Sequence, residues 1–275
     1  MLLVNDISEE EMNSLTQSIL TRYGIDFVCY EPKSLRRRII RVLNLFNLPS
    51  IHELWVQFLR DPKFIHEFMN EISVGMTSMF RDPILWTSLK KLVSREYGNS
   101  KSLSVWHAGC STGEEVYSFG ILLQETQLQD RAKALATDIN IKAIEEAKDG
   151  VYHKIKMIEN ESNYREFNPG RDLSTYFTTD GKHVLMNRQL IAHVTFGYQN
   201  LITDPCPSGF DIIFCRNVMI YFDVTAKSKI LAKFYHALNP GGYLVIGFFD
   251  TMSYLIDNDK FKLVDEGAKI FQRLE

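Results

Sequence analysis

Near residue 100 the chain changes rhythm, and that change decides its architecture. Beyond this point short apolar runs of strand length alternate with helical patterns. The runs are Leu103–His107, Ala134–Thr137, Val194–Phe196, Phe210–Cys215 and Tyr243–Gly247. Helices are predicted from Glu114, over 141–149 and over about 224–238, the last stopped by Asn239-Pro240-Gly241-Gly242. Such an order implies a parallel α/β sheet covered by helices on both faces. The tail, Phe261–Leu274, reads as two more strands around Gly267. The stretch between the second and third runs, about 150–192, is unusually long. Within it Tyr176–Thr179 and Lys182–Met186 flank Asp180-Gly181, a pair suited to a tight hairpin turn. A small β subdomain over about 174–192 is therefore expected.

The first ~90 residues show no strand-like alternation and read as helical. Asp6 or Ser8 can cap a helix that opens on Glu9-Glu10-Glu11, where carboxylates suit the helix dipole, and Gly24 ends it. A second helix covers about Lys33–Phe46, with Leu35, Ile39, Val42 and Phe46 on one face. Lys33, Arg37 and Arg41 form a separate stripe, with Arg36 and Arg38 beside it. A third helix is predicted near Ser50 and a fourth near Asp61-Pro62, with proline in its first turn. The division expected is a helical N-terminal domain over 1–72 and a second domain over 73–275.

With a net charge of −3, the whole molecule is not a polyanion binder, so nucleic acid is not an expected partner. Cys29, Cys110, Cys206 and Cys215 form no C-x-x-C pair, which argues against a structural zinc site and suits reduced thiols in a cytosol. The N-terminus lacks a basic, apolar leader, and no run approaches the ~20 apolar residues that span a bilayer. These features predict a cytoplasmic protein with no metal and no membrane insertion.

The first strand leads into Gly109-Cys110-Ser111-Thr112-Gly113-Glu114-Glu115. Glycines let a backbone approach a ligand closely, and open α/β sheets bind ligands at the carboxyl ends of their strands. The run is not G-x-G-x-x-G, and its acidic helix start opposes a pyrophosphate, which counts against a nicotinamide cofactor. A cationic sulfonium is compatible with it. Asp138 ends the second strand, where a carboxylate can accept hydrogen bonds from both ribose hydroxyls; it can equally cap the helix that follows.

Cys215-Arg216-Asn217-Val218-Met219-Ile220-Tyr221-Phe222-Asp223, preceded by Phe210–Phe214, resembles the signature of the chemotaxis receptor methyltransferase (CheR) family. The Gly109–Glu115 turn, Ala136-Thr137-Asp138-Ile139, Asn200-Leu201, Phe80-Arg81 and Leu35-x-Arg37-Arg38-Ile39 match as well, in the family's order, over residues from about 20 to 250. The resemblance implies a class I, Rossmann-like methyltransferase domain with a helical N-terminal domain and a small inserted β subdomain. It implies S-adenosylmethionine as cofactor and S-adenosylhomocysteine as product. By matching positions, cofactor contacts fall to Gly75, Thr77, Arg81, Gly109, Glu115, Asp138, Asn200, Leu201, Arg216 and Asn217. Arg81 and Tyr221 are the candidates at the reacting centre. Three places depart from the family: Gly75 where Asn is frequent, Met79-Phe80 for paired Phe, and Gly247-Phe248-Phe249-Asp250 for Gly-His-Ser-Glu.

The activity implied is esterification of glutamate side chains on a chemoreceptor cytoplasmic domain or a similar acidic helical protein. A glutamate, with a pKa near 4.3, is already a nucleophile at neutral pH, so no general base is needed. His107 and His193 accordingly read as core or strand-end residues. The arginine stripe of Arg37, Arg38 and Arg41 is either solvated surface or the docking face for that partner. Some family members grip a receptor's tail peptide with a longer β-subdomain loop, and the short turn here predicts no such grip. A monomer is expected. The rival readings are a non-catalytic cofactor-binding regulator and a methyltransferase for RNA or a small molecule.

Overall fold

A computed structural model of the chain describes residues 6–73, 77–98, 102–250 and 253–275. Helix α1 (Glu9–Tyr23) starts at Ser8, not Asp6: the Ser8 hydroxyl accepts the Glu11 N–H while the Glu11 carboxylate accepts the Ser8 N–H. This reciprocal cap satisfies two donors that a helix start otherwise leaves unpaired. Gly24 ends the helix at φ 69°. Helix α2 (Pro32–Leu45) is capped by the Glu31 carboxylate, and α3 (Ile51–Arg60) by Ser50. Helix α4 (Phe64–Ile72) begins later than the sequence suggests, because the Asp61 carboxylate and carbonyl hold Lys63 and Phe64 in a turn ahead of it. Leu15, Ile19, Phe27, Ile39, Val42, Leu54, Phe58 and Phe68 form the core of this helical part.

Helix α5 (Pro83–Tyr97) leads to the sheet. Its elements are β1 (Leu103–Ala108), α6 (Glu114–Glu125), β2 (Ala132–Asp138), α7 (Ile141–Asp149), β3 (Val151–His153), α8 (Lys154–Phe167), β4 (Phe177–Thr179), β5 (His183–Met186), β6 (Val194–Tyr198), β7 (Phe210–Cys215), α9 (Val224–Ala237), β8 (Leu238–Ile246), β9 (Phe261–Asp265) and β10 (Ile270–Arg273). The large sheet runs β6-β2-β1-β7-β8-β10-β9, parallel from β6 to β8, with β10 antiparallel to both neighbours. Chain order reverses between β1 and β7. That is the switch point beside which open α/β sheets bind ligands.

Two expectations need correction. Asn239–Gly242 does not separate a helix from a strand that begins at Tyr243; it lies inside β8, whose register slips between Phe210↔Leu238 and Ile212↔Tyr243. Gly242 permits this, since a Cβ there would meet the Asn239 and Asp211 carbonyl oxygens at 2.9 and 3.1 Å. The insert is also more than a hairpin. Its strands form a sheet in the order β3-β5-β4, and α8 packs beneath. The sequence hides α8 because its buried face is Met157, Asn160, Tyr164 and Phe167, while Ile155 and Ile158 are exposed. Among the described residues no helix is long and apolar enough to cross a membrane.

The helical part is sewn to the sheet. Glu31 N–H donates to the Tyr221 carbonyl and Asp223 N–H to the Cys29 carbonyl, both at 2.9 Å. Tyr30 bridges to Phe222, and Asn140 donates to Ser73 Oγ at 2.7 Å.

Candidate active site

A cavity of about 330 Å³ opens at the carboxyl ends of β1, β2 and β7 and is walled on the other side by α2 and α4. The β1–α6 turn forms one wall. Gly109 and Cys110 both donate to the Thr137 carbonyl, at 2.8 and 2.9 Å, which ties the turn to β2. Gly109 has φ 86°, and a Cβ there would run into Val218. Ser111 adopts φ 48° and points its N–H at Asp138 Oδ2, 2.8 Å away.

Asp138 stands at the end of β2 with Oδ1 accepting the Asn140 N–H at 2.9 Å. It does not cap α7; Asn140 does, accepting from Ala143 N–H. Burial raises the Asp138 carboxyl above the usual carboxylate range, and N–H groups of Asn140, Ser111 and Ile139 pull the other way. Two oxygens offer about four lone-pair sites, so acceptor capacity remains toward the cavity. Three lining residues each keep one buried side-chain atom without a protein partner: Gln199 Oε1, Asn217 Nδ2 and Arg216 Nε. Asn200 is buried and fixed by Asp204 and Ile202, and Leu201 lines the wall beside it.

Arg81 reaches the cavity from a strained turn. Its neighbours Phe80 and Asp82 both have positive φ, 52° and 60°. The turn is held because the Arg81 carbonyl accepts from Trp86 Nε1 at 3.0 Å and from Arg216 at 2.8 Å. Arg216 also grips Asp82 at 2.8 Å and Glu115 at 3.1 Å, with its side chain 3% exposed. Glu115 Oε1 in turn lies 2.9 Å from His107 Nδ1. Burial opposes ionisation of Glu115, but the His107 hydrogen bond and the Arg216 charge outweigh it and hold the carboxyl below its usual range. Glu115 and Arg216 thus line the cavity as a matched pair that braces the Arg81 turn.

Thr77, Gly109, Glu115, Asp138, Asn200, Leu201, Arg216, Asn217, Arg81 and Tyr221 all line this one cavity. Gly75 lies outside the described residues. Arg38 departs from its expected place. Its side chain is not on the exposed stripe with Arg37 and Arg41 but buried, donating to the Ile72 carbonyl and stacking 4.2 Å over the Tyr221 ring inside the cavity. The physical reason is helical spacing: residue 38 follows Leu35 by three and precedes Val42 by four, so it shares their inward face. Arg37 and Arg41 are exposed, and Arg41 pairs with Glu71 at 3.3 Å.

Several residues of the site escape a reading of the sequence. Tyr30 and Gln199 sit outside the matched motifs. Asp250, 4% exposed, accepts N–H groups of Asn217, Gly247 and Ile220 at 2.6, 2.8 and 3.2 Å, and so shapes the turn that carries Tyr221. Its available signal was its place in Gly247-Phe248-Phe249-Asp250, where it stands for the family's glutamate. Burial raises the Asp250 carboxyl, against the pull of those N–H groups.

Comparison with known proteins agrees with this geometry. Residues 75–270 match the family described as CheR methyltransferase, SAM binding domain, and residues 10–73 match CheR methyltransferase, all-alpha domain. A Pseudomonas putida protein provisionally named methyltransferase Cher3 is 34% identical, covering 96% of each chain. Proteins named chemotaxis protein methyltransferase are each 30% identical in Vibrio parahaemolyticus, covering 98% of each chain, and in Escherichia coli, covering 90% of this chain and 87% of that one. A helical domain joined to a switch-point cavity lined by a carboxylate at a strand end, and family matches over both parts, lead to one conclusion: the chain belongs to the CheR methyltransferase family and is an S-adenosylmethionine-dependent methyltransferase.

Proposed function

We propose that this enzyme esterifies glutamate side chains of a chemoreceptor-type protein. The observation that carries the reading is that Arg81, Arg38 and Tyr221 line the cavity together, with no histidine lining it among the described residues. Two cations and a phenol suit an anionic acceptor. The lining acids are engaged elsewhere, Glu115 by Arg216 and His107, and Asp138 by backbone N–H groups. A carboxylate needs no base, because it is ionised at neutral pH.

The bound cofactor supplies an electrophilic methyl on a sulfonium. Asp138 would take the ribose hydroxyls, with Asn217 and Gln199 lining the cavity as well. Arg81 holds the acceptor oxygens, and the Tyr221 ring presents an aromatic face to positive charge. Arg38, stacked 4.2 Å over that ring, fixes its orientation. Met69, Ile72 and Phe222 exclude water, so the barrier falls chiefly through alignment and desolvation. Lys33, Arg37 and Arg41 stay exposed on α2 and suit an acidic helical partner.

The test is incubation with labelled S-adenosylmethionine and chemoreceptor cytoplasmic fragments, followed by mild alkali. Released methanol marks a carboxyl ester. Label that survives alkali marks an N-methyl group and refutes the proposal.

A further inference from the structure

Phe248 and Phe249 follow β8 as neighbouring rings, 57% and 62% exposed, edge-on at 5.6 Å. Their backbone is firmly held. The Asp250 carboxylate takes N–H groups from Gly247, Asn217 and Ile220, and a Cβ on Gly247 would stand only 2.6 Å from the Asn217 nitrogen. Asn217 and Ile220 line the cofactor cavity. The two rings therefore stand on a clamp shared with the cavity wall. The Lys269 ammonium lies 5.9 Å from the Phe248 ring. Ile84, 68% exposed, approaches within 3.9 Å of the place a Gly267 Cβ would take, so it adjoins the same β9–β10 turn. Ile84 follows directly on the Arg81–Asp82 turn. Apolar surface with one cation thus continues outward from two segments that form the reacting end of the cavity.

Single exposed apolar residues need no explanation. Aromatics on a rigid backbone are different, since they lose little conformational entropy on contact and dominate binding surfaces. We propose that Phe248, Phe249 and Ile84 form an apolar lip that binds the substrate protein beside its acceptor glutamate. The lip selects segments with an apolar side chain within one helical turn of that glutamate, and Lys269 meets an acid next to it. This rests on the carboxyl-methylation reading above. The occupant is the acceptor segment rather than a second copy of this chain, because a copy seated there would stand beside the cavity on the path of the acceptor.

The experiment uses the full chain and synthetic helical peptides, each with one glutamate and with either leucine or serine three and four residues away. One methylene more or less in an apolar pocket typically changes selection by about 10- to 200-fold, and the lower end applies at an open lip. The wild type should favour the leucine peptide about tenfold in kcat/KM, through KM. The double variant Phe248→Ser/Phe249→Ser should bring that ratio near one, with S-adenosylhomocysteine affinity and melting temperature held. Fluorescence anisotropy of the same peptides, with S-adenosylhomocysteine present, reads the preference without methyl transfer. Equal binding of both peptides by the wild type, or a preference that survives in the variant, overturns the lip. So does a concentration-dependent dimer that the two substitutions abolish. Peptides with glutamine in place of the glutamate test the underlying reading separately, since alkali-stable label on glutamine peptides would defeat carboxyl methylation while the anisotropy ratio still decides the lip.

Discussion

Replacing Asp138 by asparagine separates the two duties of that side chain. Oδ2 accepts the Ser111 N–H at 2.8 Å and Oδ1 the Asn140 N–H at 2.9 Å. Asparagine has one oxygen, so whichever way its amide turns, its NH2 faces a backbone N–H. One buried donor then goes unmade, at about 1–3 kcal/mol. For a chain of this size that lowers the melting temperature by roughly 2–4 °C per kcal/mol. The ribose hydroxyls lose a charged acceptor as well, which costs about 1.5–3 kcal/mol, or roughly 10- to 150-fold in Kd. Titration calorimetry with S-adenosylhomocysteine reads the second effect and thermal unfolding the first. The hydroxyls favour the ionised carboxylate, and burial raises its pKa. Cofactor affinity should therefore fall as pH drops through the raised value in the wild type and stay flat in the variant. An unchanged Kd in a folded Asp138→Asn protein would refute the ribose assignment.

Arg81→Ala and Tyr221→Phe should lower kcat more than cofactor affinity, and a wild-type rate for either under saturating substrate removes that residue from the chemistry. Charge reversal at Arg37 and Arg41 should raise KM for protein substrate, more so at low salt, because exposed charges are screened; methylation indifferent to salt and reversal would leave this face without a docking role. His193 is held at a pKa of about 4 by burial and then by the nearby His107, against 6.5 when free. Its neutral form thus stabilises the fold above pH 6.5, and that stability is lost as pH falls toward 4, up to about 3 kcal/mol by linkage. His193→Gln should flatten the fall in melting temperature over that window, and equal acid sensitivity of the two proteins contradicts this. A free receptor tail peptide should not bind at micromolar concentration, since β4 offers only Phe177–Thr179 as an edge and strand addition needs several residues; calorimetry decides.

Much of the sheet is visible in the residues because the central strands carry short apolar runs, Val105-Trp106 in β1, Ile212–Cys215 in β7 and Tyr243–Ile246 in β8. Phe210–Cys215 and the helix over 141–149 stand where their patterns place them. The ligand-facing turns are legible for a different reason: Gly109 and Asp138 occupy fixed places relative to a strand end, so local order predicts location. Arg38 is the instructive failure. Charge assigns it to the surface stripe, whereas its position between Leu35 and Val42 assigns it inward, and a carbonyl and an aromatic ring make burial tolerable. Helix α8 fails for the converse reason, exposing isoleucines and burying Asn160, whose oxygen takes the Met79 N–H at 2.9 Å. Contacts of that span, between residues far apart in the chain, leave no local periodicity to read.

The pairing of residues 29–31 with 221–223 has a consequence for how such a protein can change. Tyr30, Arg38, Met69, Ile72 and Ser73 belong to the helical part, yet they wall the cofactor cavity. The two parts are therefore not interchangeable modules. A chimaera that borrows its helices from a relative also replaces one side of this cavity and the support of Tyr221. The helical surface and the wall of the methyl-transfer cavity are inherited together, and drift in one is constrained by the other.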